Sequence, residues 1–587
     1  NFLAVLPPIG KPIDNVQLYI LDDTHIPVPI GVAGDLYIGG VQVAHGYLNL
    51  TELSIEKFLP DYFSEKPGSR LYKTGDLARW QVDGNIEYLG RKDDQVKIRG
   101  FRVELGEVES MLLQTGKLSQ AVVVAKEDSV GSTKLVAYFV PQWKDIKIKE
   151  KELYQSQVTT WKEVYETEYA SATGENGEEE FNINIWKDSF TGQPIAAVQM
   201  KEWLQDIVDI ILRDNPENIL EIGSGTGLIY YQLAGKIKKY IGTDFSRASI
   251  DLITQRISKG SGDYGTTKLY VCAAHEIALD KDEPVDTIVL NSVIQYFPGE
   301  DYTTDVISKS ISLLHGKGRI IIGDVRDNRL LKSFKMELDM QKLSQSVTVD
   351  ELSWLAEQEV LKEEELCFSP EYFYTLASLY PEITQVEIMW KQASYVNELS
   401  KYRYNVVLYV GINRDVIEPE WQLWKGLPQK QHLIDQVQKN ESIIALQDVP
   451  NPKLWQEKTF AETLKNKKAG TIGELQQVIL KENKGIPELE QILAIALSAG
   501  YHSKFLLNED PFMMNIVLEL QPSAKFIKQV YSEKPLTDKT SLTNIPLFTD
   551  IGLLMQKDIR YSLQQSLPEY MVPAEFIAVA RLPITNN

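Results

Sequence analysis

The sequence predicts an α/β fold built around a mostly parallel sheet of seven strands. Between residues 196 and 411, five short apolar runs alternate with helix-period stretches such as MKEWLQDIVDIIL. This alternation is typical of β-α-β units, in which helices connect parallel strands. Two further runs, QVEIMWK and YNVVLYVG, follow closely enough to pair as a late hairpin. The five parallel runs are ENILEIG, KKYIGTD, KLYVCAA, DTIVLNS and GRIIIGD.

Length and composition limit the class of protein. The 587 residues leave room for three or more domains, and 43% hydrophobic with 24% charged residues are globular values. A formal net charge of −21 disfavours nucleic-acid phosphates and anionic membranes as partners. No apolar run approaches the roughly 20 residues of a membrane span. Cys272 and Cys367 have no partners at metal-ligand spacing, so we expect a cytoplasmic protein without a metal site.

A glycine-rich turn, ILEIGSGTG, follows the first of these strands at 219–227. Glycines at 223, 225 and 227 allow backbone N–H groups to approach a ligand closely. Their Gly-x-Gly-x-Gly spacing differs from the Gly-x-Gly-x-x-Gly of dinucleotide folds. Glu221 lies two positions before the first glycine, and the next strand ends at Asp244, whose carboxylate could accept both hydroxyls of a ribose.

Together these features resemble a class I S-adenosylmethionine-dependent methyltransferase, a Rossmann-like α/β fold, over roughly residues 150–411. The resemblance implies S-adenosylmethionine as cofactor, with Glu221 and the Gly223–Gly227 backbone facing its methionine part and Asp244 its ribose. A tight turn without a ligand and a dehydrogenase turn are the alternatives. The resemblance implies further cofactor-binding residues. Ala274 and His275 would flank the adenine, Asn291 would lie beside the sulfonium, Tyr165 would point toward the carboxylate, and Ser224 and Phe245 would also contact the cofactor.

His275 and Tyr165 have ordinary structural explanations as well. A partly buried structural imidazole is as good an interpretation of His275 as contact with adenine. Tyr165 lies on a predicted helix, WKEVYETEY, where core packing would explain it equally well. Both residues therefore stay open at this stage.

The segments on either side of this region resemble a second family. GDLYIGGVQVAHGYLN (34–49), LYKTGDLARW (71–80), GRKDDQVKIRGFRVELGEVE (90–109) and LPEYMVPAEF (567–576) are similar to the later core motifs of nonribosomal peptide synthetase adenylation domains. The resemblance implies that Asp76 and Arg91 bind ATP and that Asp93 is the hinge of the small C-terminal subdomain. An ordinary turn carboxylate and a surface ion pair are the alternatives for these residues.

The adenylation resemblance is incomplete. The earlier phosphate loop and the segment lining the amino-acid pocket are absent from the sequence, and the last motif would continue past LPITNN into a Gly-Lys. We therefore expect a piece of a longer polypeptide that does not form an adenylate by itself, because the cations that stabilise that transition state are missing. ATP and Mg²⁺ would belong only to the full-length adenylation domain.

The two resemblances predict a methyltransferase inserted into the small α+β C-terminal subdomain of an adenylate-forming domain. Such an insertion requires the two ends of the insert to lie close together, which is common for domain termini. The predicted segments are 1–93, distal part of the adenylation core; 94–148, first part of its C-terminal subdomain; 149–411, methyltransferase; 412–545, accessory helical or α+β lobe; and 546–587, second part of the C-terminal subdomain.

Two further motifs favour an amine as the methyl acceptor. NINIWKDSFTGQPI (182–195) and NELSKYRYNVVLYVG (397–411) resemble the amino-acid N-methyltransferase inserts of these synthetases. The resemblance implies methylation of the α-amine of an aminoacyl thioester on the phosphopantetheine arm of a carrier protein. The partners would be that carrier domain and the rest of the synthetase. An O- or C-methyltransferase of the same architecture and a non-catalytic scaffold insert are the alternatives.

The candidate catalytic residues follow from what the acceptor needs. An amine must lose its proton before it can attack a methyl group, and a nearby carboxylate can accept that proton. Glu398 is the candidate, with Asn397, Tyr402 and Arg403 around it; a surface-exposed pair on a loop is the alternative. Tyr296 is a candidate wall beside the methyl group or an aromatic core residue. Asp324 and Arg326 end a strand and are candidate substrate contacts.

Overall fold

The computed structural model describes residues 8–91, 95–98, 100–127, 132–171, 181–183, 186–259, 265–280, 283–424, 430–466, 469–482, 493–521, 525–529 and 542–582. The chain divides into two compact units. One unit comprises Asn1–Gln142 and Leu553–Asn587, and the other comprises Trp143–Gly552. The first unit is therefore assembled from two stretches of chain with the second unit between them in sequence.

The first unit contains antiparallel β-structure. Strands β1, β2, β4 and β3 follow one another in a sheet whose fifth strand, β5, pairs with β4. A separate three-stranded sheet has the order β23-β9-β8, so that a strand from the second chain stretch pairs with one from the first. The elements are β1 Val16–Leu21, β2 Gly34–Gly40, α1 Thr51–Lys57, β3 Phe58–Pro60, β4 Arg70–Trp80, β5 Ile86–Arg91, β6 Gln95–Ile98, β7 Phe101–Glu104, α2 Leu105–Gln114, β8 Leu118–Glu127, β9 Thr133–Pro141 and β23 Glu575–Ala578.

The second unit is organised around one sheet of eleven strands, in the order β12-β11-β10-β13-β14-β16-β15-β20-β21-β19-β18. The first five strands in this order are parallel, and β16 runs antiparallel to β14 and β15. The strands are β10 Asn218–Ile222, β11 Lys239–Asp244, β12 Thr266–Val271, β13 Thr287–Asn291, β14 Gly318–Arg326, β15 Ile383–Trp390, β16 Arg403–Val410, β18 Trp421–Leu423, β19 Ile443–Pro450, β20 His502–Leu507 and β21 Met513–Glu519; β17 Val416–Ile417 pairs with β22 Phe526–Ile527.

Helices cover both faces of the parallel part of the sheet. Along β13, Ile288 and Leu290 pack into one hydrophobic cluster and Val289 into another, because alternate side chains of a strand point to opposite faces. The helices are α3 Trp143–Ser171, α4 Ala197–Leu212, α5 Leu228–Leu233, α6 Arg247–Lys259, α7 Glu300–Leu313, α8 Leu331–Lys342, α9 Val349–Leu361, α10 Glu371–Leu379, α11 Glu398–Lys401, α12 Lys430–Gln438, α13 Trp455–Lys465, α14 Ile472–Glu482 and α15 Phe548–Gln564.

The predicted α/β fold is confirmed, and the sheet is larger than the seven strands predicted. Four additional strands, β18 to β21, come from the segment expected to be a separate accessory lobe. Only one of the four, within FMMNIVLEL, was recognisable from its sequence. The other three carry polar residues such as Gln447, Asp448 and Lys504 within short apolar runs, which weakens their periodicity. The predicted boundary at residue 411 consequently lies inside the second unit.

The described residues contain neither a membrane-spanning helix nor a cluster of metal ligands. No described helix is both long and apolar enough to span a membrane. Nor does any group of three or more described His, Cys, Asp or Glu side chains have the arrangement of a metal site.

Candidate active site

The glycine turn between β10 and α5 has the backbone conformation that only glycine adopts readily. Gly223, Gly225 and Gly227 have φ angles of +81°, +52° and +83°. A Cβ on Gly223 would lie 2.4 Å from Cγ2 of Val293, and one on Gly227 would lie 2.9 Å from the ring of Tyr231. Gly223 and Gly225 line a cavity of about 160 Å³, called the first cavity below. Gly227 does not line it and serves close packing instead.

Asp244 at the end of β11 meets the glycine turn. Its Oδ2 accepts a hydrogen bond of 2.9 Å from the Gly225 backbone N–H, and its Oδ1 accepts one of 2.9 Å from Ser246. The parallel pairing of β10 with β11 brings these two strand ends together. Burial raises the pKa of Asp244 to about 6, against the lowering effect of both hydrogen bonds. The turn and the carboxylate therefore form one wall of the first cavity.

Glu221, the last acidic residue before the turn, is buried in the same wall. The hydroxyl of Tyr240 donates a hydrogen bond to its Oε2. Burial, together with the neighbouring Asp244, raises the pKa of Glu221 to about 8 against the lowering effect of the Tyr240 hydrogen bond. Glu221 thus holds a proton at pH 7 unless a positive charge enters the cavity.

A cluster of aromatic side chains forms another part of the lining of the first cavity. Tyr165 and Tyr169 of α3 line the first cavity together with Phe245 and Tyr296. The Tyr165 ring lies 5.0 Å from that of Tyr296 and 5.5 Å from that of Tyr169, and Trp161 lies 4.8 Å from Tyr296. Glu166 fastens α3 to the start of α6, accepting hydrogen bonds from Ser246 Oγ at 2.6 Å and Ala248 N at 3.2 Å. The faces of such rings attract cations.

The remaining predicted cofactor residues fall into two groups. Ser224, Ala274 and Asn291 line the first cavity, whereas His275 is not among its lining residues. The His275 Nδ1 forms a 2.7 Å hydrogen bond with the hydroxyl of Tyr302, which does line it. The buried Oδ1 of Asn291 has no hydrogen-bond partner among the described residues. A buried polar atom without a partner is rare and is available to a ligand.

A second cavity, of about 310 Å³, is lined mainly by charged side chains. They come from β14, α8, the 363–367 segment, α11 and the start of β16, together with Ser189. Glu398, Tyr402 and Arg403 are among them, as are Arg326 and Glu365. Three of the four predicted catalytic neighbours at 397–403 therefore share one cavity, which is separate from the first.

Glu398 lies in the wall of the second cavity and is nearly fully buried. Its Oε1 accepts a 3.4 Å hydrogen bond from the Ser189 backbone N–H. Among the described residues, no cation lies within ion-pair distance of its carboxylate. Burial raises the pKa of Glu398, and the charge of Arg403 opposes that shift. A carboxylate of this kind is suited to accept a proton near neutral pH.

Asn397 and Tyr402 hold structural positions. The Asn397 side chain caps α11, accepting from the backbone N–H groups of Leu399 at 2.9 Å and Ser400 at 3.3 Å, and it lines neither cavity. The Tyr402 hydroxyl is hydrogen-bonded to Oε1 of Glu457 at 2.8 Å and to Oε2 of Glu337. These contacts explain both side chains without a role in chemistry.

One carboxylate joins the walls of the two cavities. Asp324 accepts hydrogen bonds from Ser292 Oγ at 2.6 Å and Trp203 Nε1 at 3.0 Å, and both donors line the first cavity. It is also ion-paired with Arg403 of the second cavity and with Lys391. Burial opposes ionisation of Asp324, but these two cations outweigh it and hold its pKa well below the usual range. The cavities are therefore neighbours.

In the first unit, the two predicted nucleotide-binding residues face each other. Asp76 on β4 lies opposite Arg91 on β5, and the guanidinium donates to Asp76 Oδ1 at 3.0 Å and to the Thr74 carbonyl at 3.0 Å. Asp93, the predicted hinge, lies outside the described residues. The arrangement is compatible with either a ribose site or a simple partly exposed ion pair.

Several cavity residues were not predicted. Tyr169 and Trp203 line the first cavity from helices that read as ordinary amphipathic elements. Glu363 and Glu365 line the second cavity but stand in the run KEEEL, which has the composition of a solvated helix end. Neither set is distinguished by a motif, although the aromatic spacing of Trp161, Tyr165 and Tyr169 at four-residue intervals could have signalled one helix face.

The fold and the first cavity define the class of the second unit. Residues 213–393 match the sequence model of a family described as a methyltransferase domain. The chain therefore carries a methyltransferase domain, and its glycine turn, Glu221 and Asp244 all lie within the matched residues.

Over its whole length the chain is similar to segments of nonribosomal peptide synthetases. It is 33% identical over 588 residues to the probable non-canonical nonribosomal peptide synthetase CymA of Salinispora arenicola, covering 99% of this chain and 7% of that protein. It is 33% identical over 601 residues to chondramide synthase cmdD of Chondromyces crocatus, covering 99% and 15%. The resemblance predicted from the sequence, a synthetase segment that contains a methyltransferase, is confirmed.

These relatives are much longer than the chain, which spans less than a fifth of either. Among solved structures, an artificially fused adenylation-PCP di-domain synthetase, NpsA-ThdA from Klebsiella oxytoca, aligns with 30% sequence identity and a TM-score of 0.21. That alignment covers 23% of this chain and 25% of the other.

Proposed function

We propose that the second unit transfers a methyl group from S-adenosylmethionine to the α-amino nitrogen of an aminoacyl thioester carried by a phosphopantetheine arm. The observation that carries this proposal is the pair of neighbouring cavities. One has the donors, acceptors and aromatic faces that a sulfonium nucleoside needs. The other contains Glu398, a buried carboxylate with no cation at ion-pair distance in the part of the chain that the structure describes.

The residues of the first cavity fit the cofactor. The backbone of Gly223 and Gly225 lines the cavity, and Asp244 offers acceptor oxygens for ribose hydroxyls. The unpartnered Asn291 Oδ1 and the rings of Tyr165 and Tyr296 favour a cationic ligand over a neutral one. When bound, S-adenosylmethionine supplies an electrophilic methyl group with a good leaving group.

The residues of the second cavity fit the acceptor. An α-ammonium group has no free lone pair, so it must lose a proton before its nitrogen can attack. The carboxylate of Glu398 accepts that proton, and the Ser189 N–H holds the carboxylate in place. Arg403, itself held by Asp324, keeps a positive charge near Glu398, which stabilises the ionised form. The protein otherwise contributes mainly alignment of the reacting atoms.

We propose that the first unit is the distal part of an adenylation domain and that the methyltransferase interrupts this domain in sequence. The pairing of β23 with β9 supports this, because the second chain stretch completes a sheet begun by the first. Asp76 and Arg91 would contribute to the nucleotide site of that domain. A carrier domain would be the partner that presents the acceptor to the methyltransferase.

Intact-mass analysis of a carrier protein tests the methylation proposal. The 587-residue chain is incubated with S-adenosylmethionine and a carrier loaded with an amino acid, and fragmentation then locates the added mass. We expect one methyl group on the backbone nitrogen. A methyl group on a side-chain oxygen or on carbon would support the O- or C-methyltransferase alternative instead.

A control separates the catalytic reading from the scaffold alternative. Calorimetry measures S-adenosylmethionine binding to the wild-type chain and to Asp244→Ala. We expect binding to the first and much weaker binding to the second. Equal affinities, or no binding to either protein, would favour a scaffold without catalysis.

A further inference from the structure

The second cavity has one apolar wall, formed by a single face of α8. Leu331, Phe334 and Leu338 line it, at spacings of three and four residues. Residues at these spacings lie on one side of a helix, so the three apolar side chains share one face of α8 with Lys335, which also lines the cavity. Phe334 makes edge contacts with Phe190 at 5.7 Å and with Tyr402 at 5.1 Å.

Most of the charged side chains that line the cavity, including Lys335 of α8 itself, already neutralise one another. Arg326 is ion-paired with Glu363 at 3.0 Å and with Glu365 at 2.7 Å, and Lys335 pairs with Glu363 at 2.9 Å. Burial opposes ionisation of Glu363, but Arg326 lowers its pKa to about 2. Arg403 is paired with Asp324. Among the described lining residues, Glu398 is the carboxylate that no cation neutralises at ion-pair distance.

This division suits one class of acceptor. A positive charge is favourable only beside Glu398, where an α-amine would bind. Apolar side chains line another part of the same cavity. A charged side chain entering there would meet groups that already have partners, and it would lose its water without compensation. A cavity of about 310 Å³ has room for a large apolar side chain, since an apolar cavity of about 150 Å³ already accepts benzene.

We propose that the second cavity selects aminoacyl acceptors with uncharged apolar side chains, and that Leu331, Phe334 and Leu338 of α8 are the residues that set this preference. The inference rests on the proposed function, because it assigns the amine end of the same acceptor to Glu398. Leu338 is the least buried of the three, so a larger or smaller side chain there changes the cavity with the least disturbance of the core.

The test compares acceptors that differ only in the side chain. Carrier proteins loaded with alanine, leucine, phenylalanine, aspartate or lysine are methylated by the 587-residue chain, and kcat/KM is measured for each. We expect leucyl and phenylalanyl carriers to exceed aspartyl and lysyl carriers by at least about tenfold, since a charged side chain would lose its water in the cavity without gaining an unpaired partner of opposite charge.

Two variants at Leu338 locate the preference. Leu338→Phe narrows the cavity, and we expect it to lower kcat/KM for leucyl and phenylalanyl carriers about tenfold while the alanyl carrier changes less than about threefold. Leu338→Ala widens the cavity and is expected to favour the phenylalanyl over the leucyl carrier. Met340→Phe is the matched control, because Met340 belongs to the same helix but does not line this cavity.

The outcomes distinguish the two proposals. Methylation of all five acceptors at similar rates, or equal effects of Leu338→Phe on every acceptor, overturns this inference and leaves the proposed function standing. Absence of backbone N-methylation on every acceptor overturns both. Calorimetry of S-adenosylmethionine with each variant verifies that the first cavity is intact.

Discussion

The two cavities of the second unit are neighbours, yet they are built in different ways. Beside its aromatic side chains, the first takes its shape from backbone: the left-handed turn of Gly223 and Gly225 and the ends of parallel strands β10 to β13. The second takes its shape from long charged side chains that come from five separate chain segments. A site made of backbone can be shared by proteins with many different side chains, whereas a site made of side chains is free to vary with the acceptor. The first cavity is therefore expected to define the donor and the second the acceptor.

The largest expected effect comes from the acceptor side. Glu398→Gln keeps the size of the side chain but cannot accept a proton, so we expect kcat for methylation to fall by about 10² to 10⁴. The Kd for S-adenosylmethionine, measured by calorimetry, should stay unchanged because Glu398 does not line the first cavity. A variant with wild-type kcat would remove Glu398 from the chemistry.

On the donor side, Asp244→Ala is expected to weaken S-adenosylmethionine binding by at least about 100-fold. It removes the carboxylate that is proposed to accept hydrogen bonds from both ribose hydroxyls, and each charge-assisted bond contributes at least about 1.5 kcal/mol. Asp251→Ala is the matched control, because Asp251 is an exposed carboxylate on the following helix α6. If the two variants bind equally well, the donor assignment of the first cavity is wrong.

A further prediction for the first cavity is that Glu221 releases a proton when S-adenosylmethionine binds. Burial raises the pKa of Glu221 to about 8, so the carboxyl is protonated at pH 7 in the free protein. A cationic ligand favours the ionised form and lowers that pKa, so we expect about one proton to be released per ligand bound at pH 7. Calorimetry in buffers of different ionisation enthalpy measures this number.

Two conditions should abolish the release. At pH 9, Glu221 is already ionised in the free protein and has no proton to lose. Glu221→Gln removes the group itself. Release that persists under both conditions would have to come from another group, and the proposed role of Glu221 as the charge partner of the ligand would fail.

The smallest expected effect separates Asn397 from its neighbour Glu398. Asn397→Ala removes the cap of α11, and we expect a loss of about 1 kcal/mol of stability without a change in kcat. Thermal unfolding together with methylation assays on the same protein tests this. A large loss of kcat at full cofactor saturation would instead give Asn397 a direct role in catalysis.

The two cavities also differ in how far the sequence could predict them. Gly223, Gly225 and Asp244 could be placed together because parallel strands end at one edge of a sheet, a rule that needs only local sequence. Glu363 and Glu365 could not be assigned, since a run of acidic residues has the same composition on a solvated surface as in a cavity wall. Their partners, Arg326 and Lys335, lie more than 25 residues away along the chain.

The extent of the sheet was underestimated for a similar reason. Strands β10, β13 and β14 are mostly apolar runs that are buried on both faces, and such runs are readily recognised. Strand β20, HSKFLL, is half polar and is recognisable only through its pairing with β21. The functional labels of the five predicted segments and the roles of the individual site residues stay predictions.

The continuity of the eleven-stranded sheet has a practical consequence for protein engineering. A methyltransferase cut at residue 411 and fused into another protein would keep β15 but lose β20, which is its neighbour in the sheet. The bare edge would present unpaired backbone groups and invite aggregation. A cut just before α15, which begins at Phe548 close to the end of the compact unit, keeps that edge covered and is the better boundary for a portable module.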